Sequence, residues 1–192
     1  MPYPRKLSEQ QILEEAACLV DEAGLDALST RGLAQRLGAR APSLYRYFPD
    51  KDTLVRALSA TFWDDLAREV DRHETLAGMA RAYWDYALRC PNRYAVLMSR
   101  PPEAEQPTAT EKGLVAEPLQ ELATRLSPER ALLAKRVLWS YVHGAVSLRL
   151  LWPTRDDLDP EAAFAAGLAA LDAWLADAAD DDRTDGAPPP HQ

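Results

Sequence analysis

The stretch that decides the fold runs from Ser29 to Pro49 and reads STRGLAQRLGARAPSLYRYFP. Ser29 or Thr30 is a favourable N-cap for a short helix that stops at Gly38, and a second short helix is predicted over about Pro42–Tyr47. Four apolar residues at helical spacing would face a common core: Leu33, Leu37, Leu44 and Phe48. Two short helices joined by a tight turn that contains glycine predict a helix-turn-helix unit.

The outward-facing residues of this unit suit contact with DNA. The second helix of a helix-turn-helix enters the major groove, and the first lies over the phosphates. With the apolar positions buried, these residues face outward: Arg40, Ala41, Pro42, Ser43, Tyr45, Arg46 and Tyr47. From Ala27 to Pro49 the chain has four arginines and no carboxylate, which favours a surface that faces phosphates over an ordinary solvated basic face.

The net charge of the whole chain points the other way. The 192 residues include 22 basic and 30 acidic side chains, a formal charge of −8, which is unusual for a nucleic-acid-binding protein. Residues 1–60 are neutral, with eight basic and eight acidic side chains, so residues 61–192 carry the whole −8. The excess acid therefore lies outside the predicted DNA-binding helices.

The remaining composition predicts a cytoplasmic protein without a membrane segment. The two cysteines, Cys18 and Cys90, are expected to be buried in helices, which fits a reducing compartment. The start of the sequence does not have the pattern of a signal peptide. The charge-free runs Val137–Leu148 and Ala162–Leu171 are shorter than the roughly 20 residues that cross a bilayer.

Helical periodicity continues along the chain, and no strand pattern is found. A capping box at Ser8–Gln11 opens the first helix, and Asp50 caps a long helix that ends near His73. Further helices are predicted over Leu76–Arg89, about 92–98, from Pro118, and over about 128–151 and 160–177. The fold class is therefore all-α, with about nine helices. The predicted domains are 1–50 (DNA binding), 51–178 (helical bundle) and 179–192 (a disordered, acidic, Pro-rich tail).

The two segments Ser29–Gly38 and Ala41–Leu54 resemble the signature of the TetR (tetracycline-repressor) family of transcriptional regulators. The residues that carry the resemblance are Thr30, Leu33, Ala34, Leu37, Gly38, Leu44, Tyr45, Phe48, Lys51 and Leu54. The resemblance covers about residues 8–60. It implies a three-helix DNA-binding domain, followed by a helical bundle that binds a ligand and forms a homodimer on a pseudo-palindromic operator.

The resemblance also implies roles for single residues. Thr30, Tyr45 and Lys51 would bind phosphates, and Arg31 would reach a guanine edge. Bases and backbone would be contacted by residues of the second helix and the turn before it: Arg40, Ala41, Pro42, Ser43, Arg46 and Tyr47. Ala41 cannot form a hydrogen bond with a base, so its readout would be contact with a thymine methyl. Tyr47 replaces the usual histidine of the family. Helix packing is the alternative role for both Tyr45 and Tyr47.

The last helix is apolar nearly all round, so it must be buried on two sides. One side would be the core of the protein and the other a second subunit, and the resemblance implies dimerisation through the last two helices. The predicted interface residues are Leu148, Phe164, Gly167, Leu168, Leu171, Trp174 and Leu175.

The helix before it contains Trp139, His143 and Gly144, which resemble the Trp and His-Gly (WHG-like) pattern of one TetR subgroup. A stripe of mixed polarity on a mostly buried helix is typical of a small-molecule site. The predicted pocket for a small, largely apolar effector consists of Tyr83, Trp84, Tyr86, Leu97, Met98, Trp139 and His143. Ordinary core packing of these aromatic residues is the alternative.

No catalytic motif, metal-binding spacing or phosphate-binding loop is found, so we expect neither an enzyme nor a cofactor. The predicted function is a ligand-responsive transcriptional repressor that binds double-stranded operator DNA. Two alternatives stay open: a helical carrier or enzyme that has lost DNA binding, and an adaptor for protein interactions.

Overall fold

A computed structural model describes residues 7–99, 124, 126–152 and 159–185. Within these ranges the chain forms eight α-helices, a short 3-10 helix and no strand, which confirms the all-α class. The α-helices are α1 (Glu9–Ala23), α2 (Thr30–Arg36), α3 (Ala41–Leu44), α4 (Lys51–Val70), α5 (Leu76–Arg89), α6 (Pro91–Ser99), α7 (Pro128–Leu151) and α8 (Pro160–Asp185). The helix predicted from Pro118 lies outside the described residues.

The chain divides into two compact units. The first contains residues 1–66 and 89–110, and the second contains residues 67–88 and 111–192. Helix α6 therefore belongs with the N-terminal helices, although α5 precedes it in the chain. These spatial units differ from the functional division at residue 50, which stays a prediction.

The predicted caps open their helices. Ser8 forms a capping box with Gln11, in which the Ser8 hydroxyl accepts from the Gln11 amide and the Gln11 side chain accepts from the Ser8 amide. Asp50 accepts from the Thr53 amide at 2.7 Å, and this bond lowers the pKa of the Asp50 carboxyl. Ser127 caps α7 through the Arg130 amide. Each cap satisfies a backbone donor that the first helical turn leaves free.

Three expectations about these helices were wrong. Helix α3 spans Ala41–Leu44, whereas about Pro42–Tyr47 was predicted. Helix α8 continues to Asp185, so its predicted end at 177 and the disordered assignment of 179–185 do not hold. Cys18 is exposed because it lies on the face of α1 opposite its buried residues, and Cys90 is half-buried between α5 and α6.

The first unit has a core shared by its short helices. The buried residues of α1 are Ile12, Ala16 and Val20. They are joined by the buried apolar residues of the next helices: Leu28, Leu33, Ala34, Leu44 and Phe48. This core holds the short helices together and leaves Arg31 and Gln35 of α2 and Pro42 of α3 exposed.

The second unit is built around α5, α7 and α8. The Trp84 and Phe164 rings stack with centroids 4.3 Å apart, which packs α5 against α8. Within α8, the stretch Pro160–Ala179 is long and apolar enough to cross a membrane by length and composition alone. Counting only charge-free runs did not reveal it, because Asp172 interrupts the stretch. Its buried residues Phe164 and Leu175 pack in the core of this unit.

Candidate DNA-binding surface and effector region

The geometry of the DNA-binding candidate begins at the turn between α2 and α3. The Ser29 hydroxyl accepts from the Gly32 amide at 3.1 Å and so caps α2. Gly38 has a φ of +62°, a left-handed conformation that favours glycine, and it turns the chain toward α3. Leu33 and Leu44 are buried, which fixes one face of each helix inward.

The outward face carries three arginines. Arg31, Arg40 and Arg46 are exposed, and within the described part of the chain no ion pair holds any of them. Pro42 is exposed beside them, and Ala41 and Ser43 are half-buried. Small side chains in α3 leave room for the helix to approach the edges of bases closely.

Arg36 corrects the interpretation of the basic stretch. It binds two glutamates of α1, with Nε 2.5 Å from Glu15 Oε1 and Nη1 2.5 Å from Glu22 Oε2. The hydrogen bond from Arg36 lowers the pKa of the Glu22 carboxyl and raises that of the guanidinium. The four arginines therefore supply three free charges to the surface, and the fourth connects α2 to α1. The sequence count missed this because the two glutamates lie outside the window.

The aromatic residues after α3 face in different directions. Tyr45 is 49% exposed, as a phosphate contact requires. Tyr47 is half-buried and its hydroxyl donates to the carbonyl oxygen of Leu7, which places this side chain in the packing of the domain. Lys51 is exposed, and its Nζ lies 3.4 Å from the carbonyl oxygen of Leu25. Thr30, the first residue of α2, is half-buried.

In the second unit, three of the predicted pocket residues lie together. The Tyr83 and Trp139 rings meet edge to face at 5.5 Å, and the Trp139 and His143 rings are parallel at 6.2 Å. The Tyr83 hydroxyl is 3.5 Å from Nδ1 of His143. Burial lowers the pKa of His143, so its neutral form is favoured near neutral pH. We call this set the aromatic cluster.

Two matches with protein-family models cover most of the chain between residues 12 and 171. Residues 12–58 match the model described as "Bacterial regulatory proteins, tetR family", and residues 76–171 match the one described as "Tetracyclin repressor-like, C-terminal domain". The chain belongs to the TetR family. It is a transcriptional regulator with a helix-turn-helix DNA-binding domain, as its sequence predicted.

Individual relatives of this TetR-family regulator agree with that assignment. An uncharacterised HTH-type transcriptional regulator of Mycobacterium tuberculosis is 33% identical over 171 residues, which cover 84% of this chain and 78% of the relative. The class A tetracycline repressor from transposon 1721 of Escherichia coli is 43% identical over 54 residues, 28% of this chain and 25% of that protein. A TetR variant from Acinetobacter baumannii AYE, solved in complex with minocycline, has a TM-score of 0.69 and 25% identity over 91% of this chain and 99% of its own.

The other predicted pocket residues of the TetR-family chain lie elsewhere. Trp84 stacks on Phe164, and its Nε1 donates to Glu161 at 3.0 Å, so it joins α5 to α8. Tyr86 is buried on α5. Leu97 is buried and Met98 half-buried on α6, which belongs to the first compact unit. A pocket lined by all seven residues stays a prediction.

The predicted interface residues of the regulator also separate into groups. Phe164 and Leu175 are 2% and 8% exposed, so they belong to the core of their own chain. Leu148 and Trp174 are 54% and 37% exposed. The other three are half-buried: Gly167, Leu168 and Leu171. At the end of α7, Leu151 and the following residue Trp152 are also exposed, at 75% and 70%, and they extend the apolar surface beyond the prediction.

Gly167, whose place in a dimer interface stays a prediction, also has a role within its own chain. The Tyr141 hydroxyl of α7 donates to the carbonyl oxygen of Phe164 at 2.8 Å, and a Cβ at Gly167 would overlap the Tyr141 ring. Glycine is therefore needed for a side chain of the same chain to reach the α8 backbone.

Two ionic clusters of the regulator were not predicted from its sequence. Glu161 binds Arg81 at 2.6 Å as well as Trp84, and Arg93 binds Asp21 and Asp65. Arg93 and Asp21 are 72 residues apart, so no periodic pattern could reveal the pair. Asp21 lies near the negative C-terminal end of α1, and Arg93 lies near the positive N-terminal end of α6. These unfavourable positions were the signal for the pair in the sequence.

Proposed function

We propose that this TetR-family regulator is a ligand-responsive repressor that binds a pseudo-palindromic operator as a homodimer in the cytoplasm. The observation that carries the proposal is the exposed, uncompensated charge of Arg31 in α2 and of Arg40 and Arg46, which lie just before and just after α3. Phosphates would neutralise these charges, and Arg31 would read a guanine. A bidentate contact of this kind discriminates between bases by roughly 1–3 kcal/mol.

The first experiment is the selection of genomic DNA fragments by the purified protein at about 150 mM salt, where charge screening is near physiological. We expect fragments with two related half-sites about one helical turn apart or slightly more, as two recognition helices of a two-fold dimer require. A wild-type protein that selects no fragment would instead favour the carrier or enzyme that has lost DNA binding.

Arg31→Ala tests the assignment of the guanine contact. We expect binding to the selected fragment to weaken roughly 5-fold to 150-fold, with relaxed preference at one position of each half-site. Arg72→Ala is the matched control, because Arg72 is also exposed but follows α4 in the second unit. Equal affinities of the two variants would remove Arg31 from the set of base contacts.

The proposed dimer interface uses the apolar surface at the end of α7 and the small residues of α8. Leu148, Leu151 and Trp152 are exposed within a little more than one helical turn, and exposed apolar patches of this kind mark interaction sites. Burial in a dimer, in place of a membrane, would cover the apolar stretch of α8. The oligomeric state can therefore be tested without knowing the effector and without a membrane.

Leu148→Glu should convert the dimer to a monomer, because it places a charge in an apolar interface. Lys135→Glu, on the opposite side of α7, should leave the dimer intact. The measurement is light scattering after size exclusion. If both variants have the mass of a dimer, this end of α7 is not the interface.

The proposed effector region contains the aromatic cluster, in the position of the WHG-like pattern. Tyr83, Trp139 and a neutral His143 offer ring faces with a few oriented polar groups, which suit a small, largely apolar molecule. Minocycline is the first compound to test, since it occupies the similar A. baumannii protein. A wider panel follows, with release of the selected DNA as the readout.

For any compound that releases DNA, Trp139→Ala and His143→Ala should weaken its binding, whereas Trp152→Ala should not.

In the proposed mechanism the compound shifts α4 and thereby changes the separation of the recognition helices. Such coupling typically amounts to about 1–3 kcal/mol and is reciprocal, so operator DNA must weaken binding of the compound by the same factor. A one-sided effect would contradict the mechanism. The protein would need neither catalysis nor a cofactor.

A further inference from the structure

Tyr47 connects the end of the DNA-binding helices to the residue that precedes the cap of α1. Its hydroxyl donates to the carbonyl oxygen of Leu7, 40 residues earlier in the chain. Tyr47 lies three residues after α3, and Leu7 lies immediately before Ser8, the N-cap of α1. Both residues belong to the first compact unit, and both are half-buried. We call this hydrogen bond the Tyr47–Leu7 contact.

Both ends of this contact are held by the backbone around them. The amides of Tyr47 and Phe48 each donate to the carbonyl oxygen of Leu44 at 2.9 Å. The Phe48 side chain is 5% exposed, so the chain after α3 is anchored in the core. On the other side, the capping box at Ser8 fixes the first turn of α1 directly after Leu7. A hydrogen bond between two segments that are already ordered costs little further entropy and holds one relative to the other.

The Tyr47–Leu7 contact changes the role expected at position 47. The family resemblance gives this position a contact with bases or the DNA backbone, usually through a histidine. A phenol has a single proton to donate, and here that proton goes to the Leu7 carbonyl. While the contact lasts, Tyr47 donates no hydrogen bond to a phosphate. A role for Tyr47 in DNA binding then requires the segment that it holds.

The sequence before Leu7 is basic. Arg5 and Lys6 come directly before it, and residues 1–4 contain no carboxylate. Even when fully extended, two residues span at most about 7 Å, which keeps these two cations close to the Tyr47–Leu7 contact. Arg46, the neighbour of Tyr47 in the chain, is exposed and is a proposed DNA contact. The contact therefore brings two further cations to the end of α3 that carries Arg46.

We propose that Tyr47 is a positioning residue that holds the segment before α1 beside the DNA-binding helices, where Arg5 and Lys6 bind phosphates of duplex DNA at the edge of each half-site. This proposal rests on the proposed function for the presence of DNA, and it adds two cations to the phosphate contacts. Contacts with phosphates carry no base readout, so the two residues contribute affinity and salt dependence but no sequence preference. Tyr47 itself contacts Leu7 and not the DNA.

The salt dependence of DNA binding by the full chain tests the proposal. It is measured on the selected fragment and, because phosphate contacts are independent of sequence, on a random duplex at low salt. The double variant Arg5→Gln, Lys6→Gln should lower the slope of log K against log salt by about 2 for each subunit, since each phosphate contact contributes about 0.9. Base preference should not change. The charge-conserving pair Arg5→Lys, Lys6→Arg should keep the wild-type slope.

Tyr47→Phe removes only the hydroxyl and tests the positioning role. We expect it to reproduce most of the loss of slope, because the segment before α1 is no longer held beside the DNA. Combined with the double variant, it should add nothing, because all three substitutions remove the same phosphate contacts. A purely structural role of Tyr47 would lower stability in urea and leave the slope of the folded protein unchanged.

The matched control replaces Arg72 and Lys135 with glutamine. It removes one arginine and one lysine, as the double variant does, but from exposed positions of the second unit. The slope should stay at its wild-type value, because the proposed effect is local and does not follow from net charge. A loss of slope equal to that of the double variant would overturn the proposal.

The outcomes separate this proposal from the proposed function. If no genomic fragment is selected but the double variant lowers the slope on the random duplex, the operator function fails and the phosphate contacts stand. If a fragment is selected and either the double variant or Tyr47→Phe keeps the wild-type slope, the positioning role of Tyr47 is overturned and the operator function stands. A protein that binds neither duplex would overturn both.

Discussion

At the scale of the residue, the role of each arginine depends on whether a carboxylate forms an ion pair with it. Arg36 is held by Glu15 and Glu22, whereas no ion pair holds Arg31, five residues earlier, in the part of the chain that the structure describes. Both belong to α2 and to the carboxylate-free stretch. Composition could locate the basic surface but could not separate its structural arginine from its candidate DNA-binding ones, because that distinction depends on the packing of α1.

Gly167→Ala should destabilise the protein although alanine is the better helix former. Its Cβ would overlap Tyr141, and overpacking of this kind typically costs about 1–3 kcal/mol. Gly144→Ala is the control, because a Cβ there meets nothing within 4 Å, and it should stabilise by up to about 1 kcal/mol. Urea unfolding measures both. Shifts of the same sign would contradict the assigned role of Gly167.

His143 should make stability sensitive to mildly acidic pH. Burial lowers its pKa in the folded protein below the ordinary value of 6.5. The unfolded chain therefore binds the proton more readily, so this contribution to stability is present above pH 6.5 and is lost as the pH falls through the folded pKa. Urea unfolding at neutral pH and about one unit below the ordinary pKa measures the loss. His143→Gln should lose less stability over that interval, and an equal loss would exclude His143 as the cause.

At the scale of the element, α2 is too short to be stable alone and depends on its cap and its packing. Ser29→Ala should cost about 1 kcal/mol in unfolding free energy because the Gly32 amide loses its acceptor. Ser29→Asp should keep the cap, and with it most of the stability, but weaken DNA binding by placing a carboxylate near phosphates. Unfolding curves and DNA titrations of the two variants separate the effects. Unchanged DNA affinity of Ser29→Asp would place the start of α2 away from the DNA.

The contact between α5 and α8 depends on one aromatic pair. Phe164 is 2% exposed and stacks on Trp84, so Phe164→Ala should cost about 3–5 kcal/mol. Ala165→Ser, at the exposed neighbouring position, is the control and should change the unfolding free energy little. A small loss for Phe164→Ala would contradict the assignment of Phe164 to the core of its own chain.

Helix starts were predictable from the sequence, whereas helix ends were less so. Ser8, Ser29 and Asp50 each carry a side chain that accepts from the first turn, and each was identified from residue type and spacing. The end of α8 was predicted from its acidic composition, but a helix continues until its backbone meets a stop signal. After Gly167 the next glycine or proline in the sequence is Gly186, and α8 extends to Asp185.

At the scale of the whole molecule, DNA binding takes place on an acidic protein, so its dependence on salt should reflect only a few local cations. Each neutralised phosphate contributes about −0.9 to the slope of log K against log salt on duplex DNA. Lys51→Ala should reduce the slope by about one for each half-site, with little change of sequence preference. Lys135→Ala, in the second unit, is the control. An unchanged slope would remove Lys51 from the phosphate contacts.

The all-α class and the position of the DNA-binding helices could be predicted because local patterns determine both. The aromatic cluster was predicted in part: Tyr83, Trp139 and His143 meet, but Trp84 turns to Phe164 instead. Which face of an aromatic-rich helix meets which neighbour depends on tertiary packing. The same limit applies to Arg93, whose partner Asp21 is distant in the chain.

Because α6 returns to the N-terminal unit after α5, the two units are interleaved along the chain rather than consecutive. This has a consequence for protein engineering. A hybrid regulator that joins residues 1–70 of this chain to the effector domain of a relative would leave Asp21 without Arg93. Hybrids that also retain residues 91–99 would keep the pair, so the practical unit of exchange is a discontinuous one.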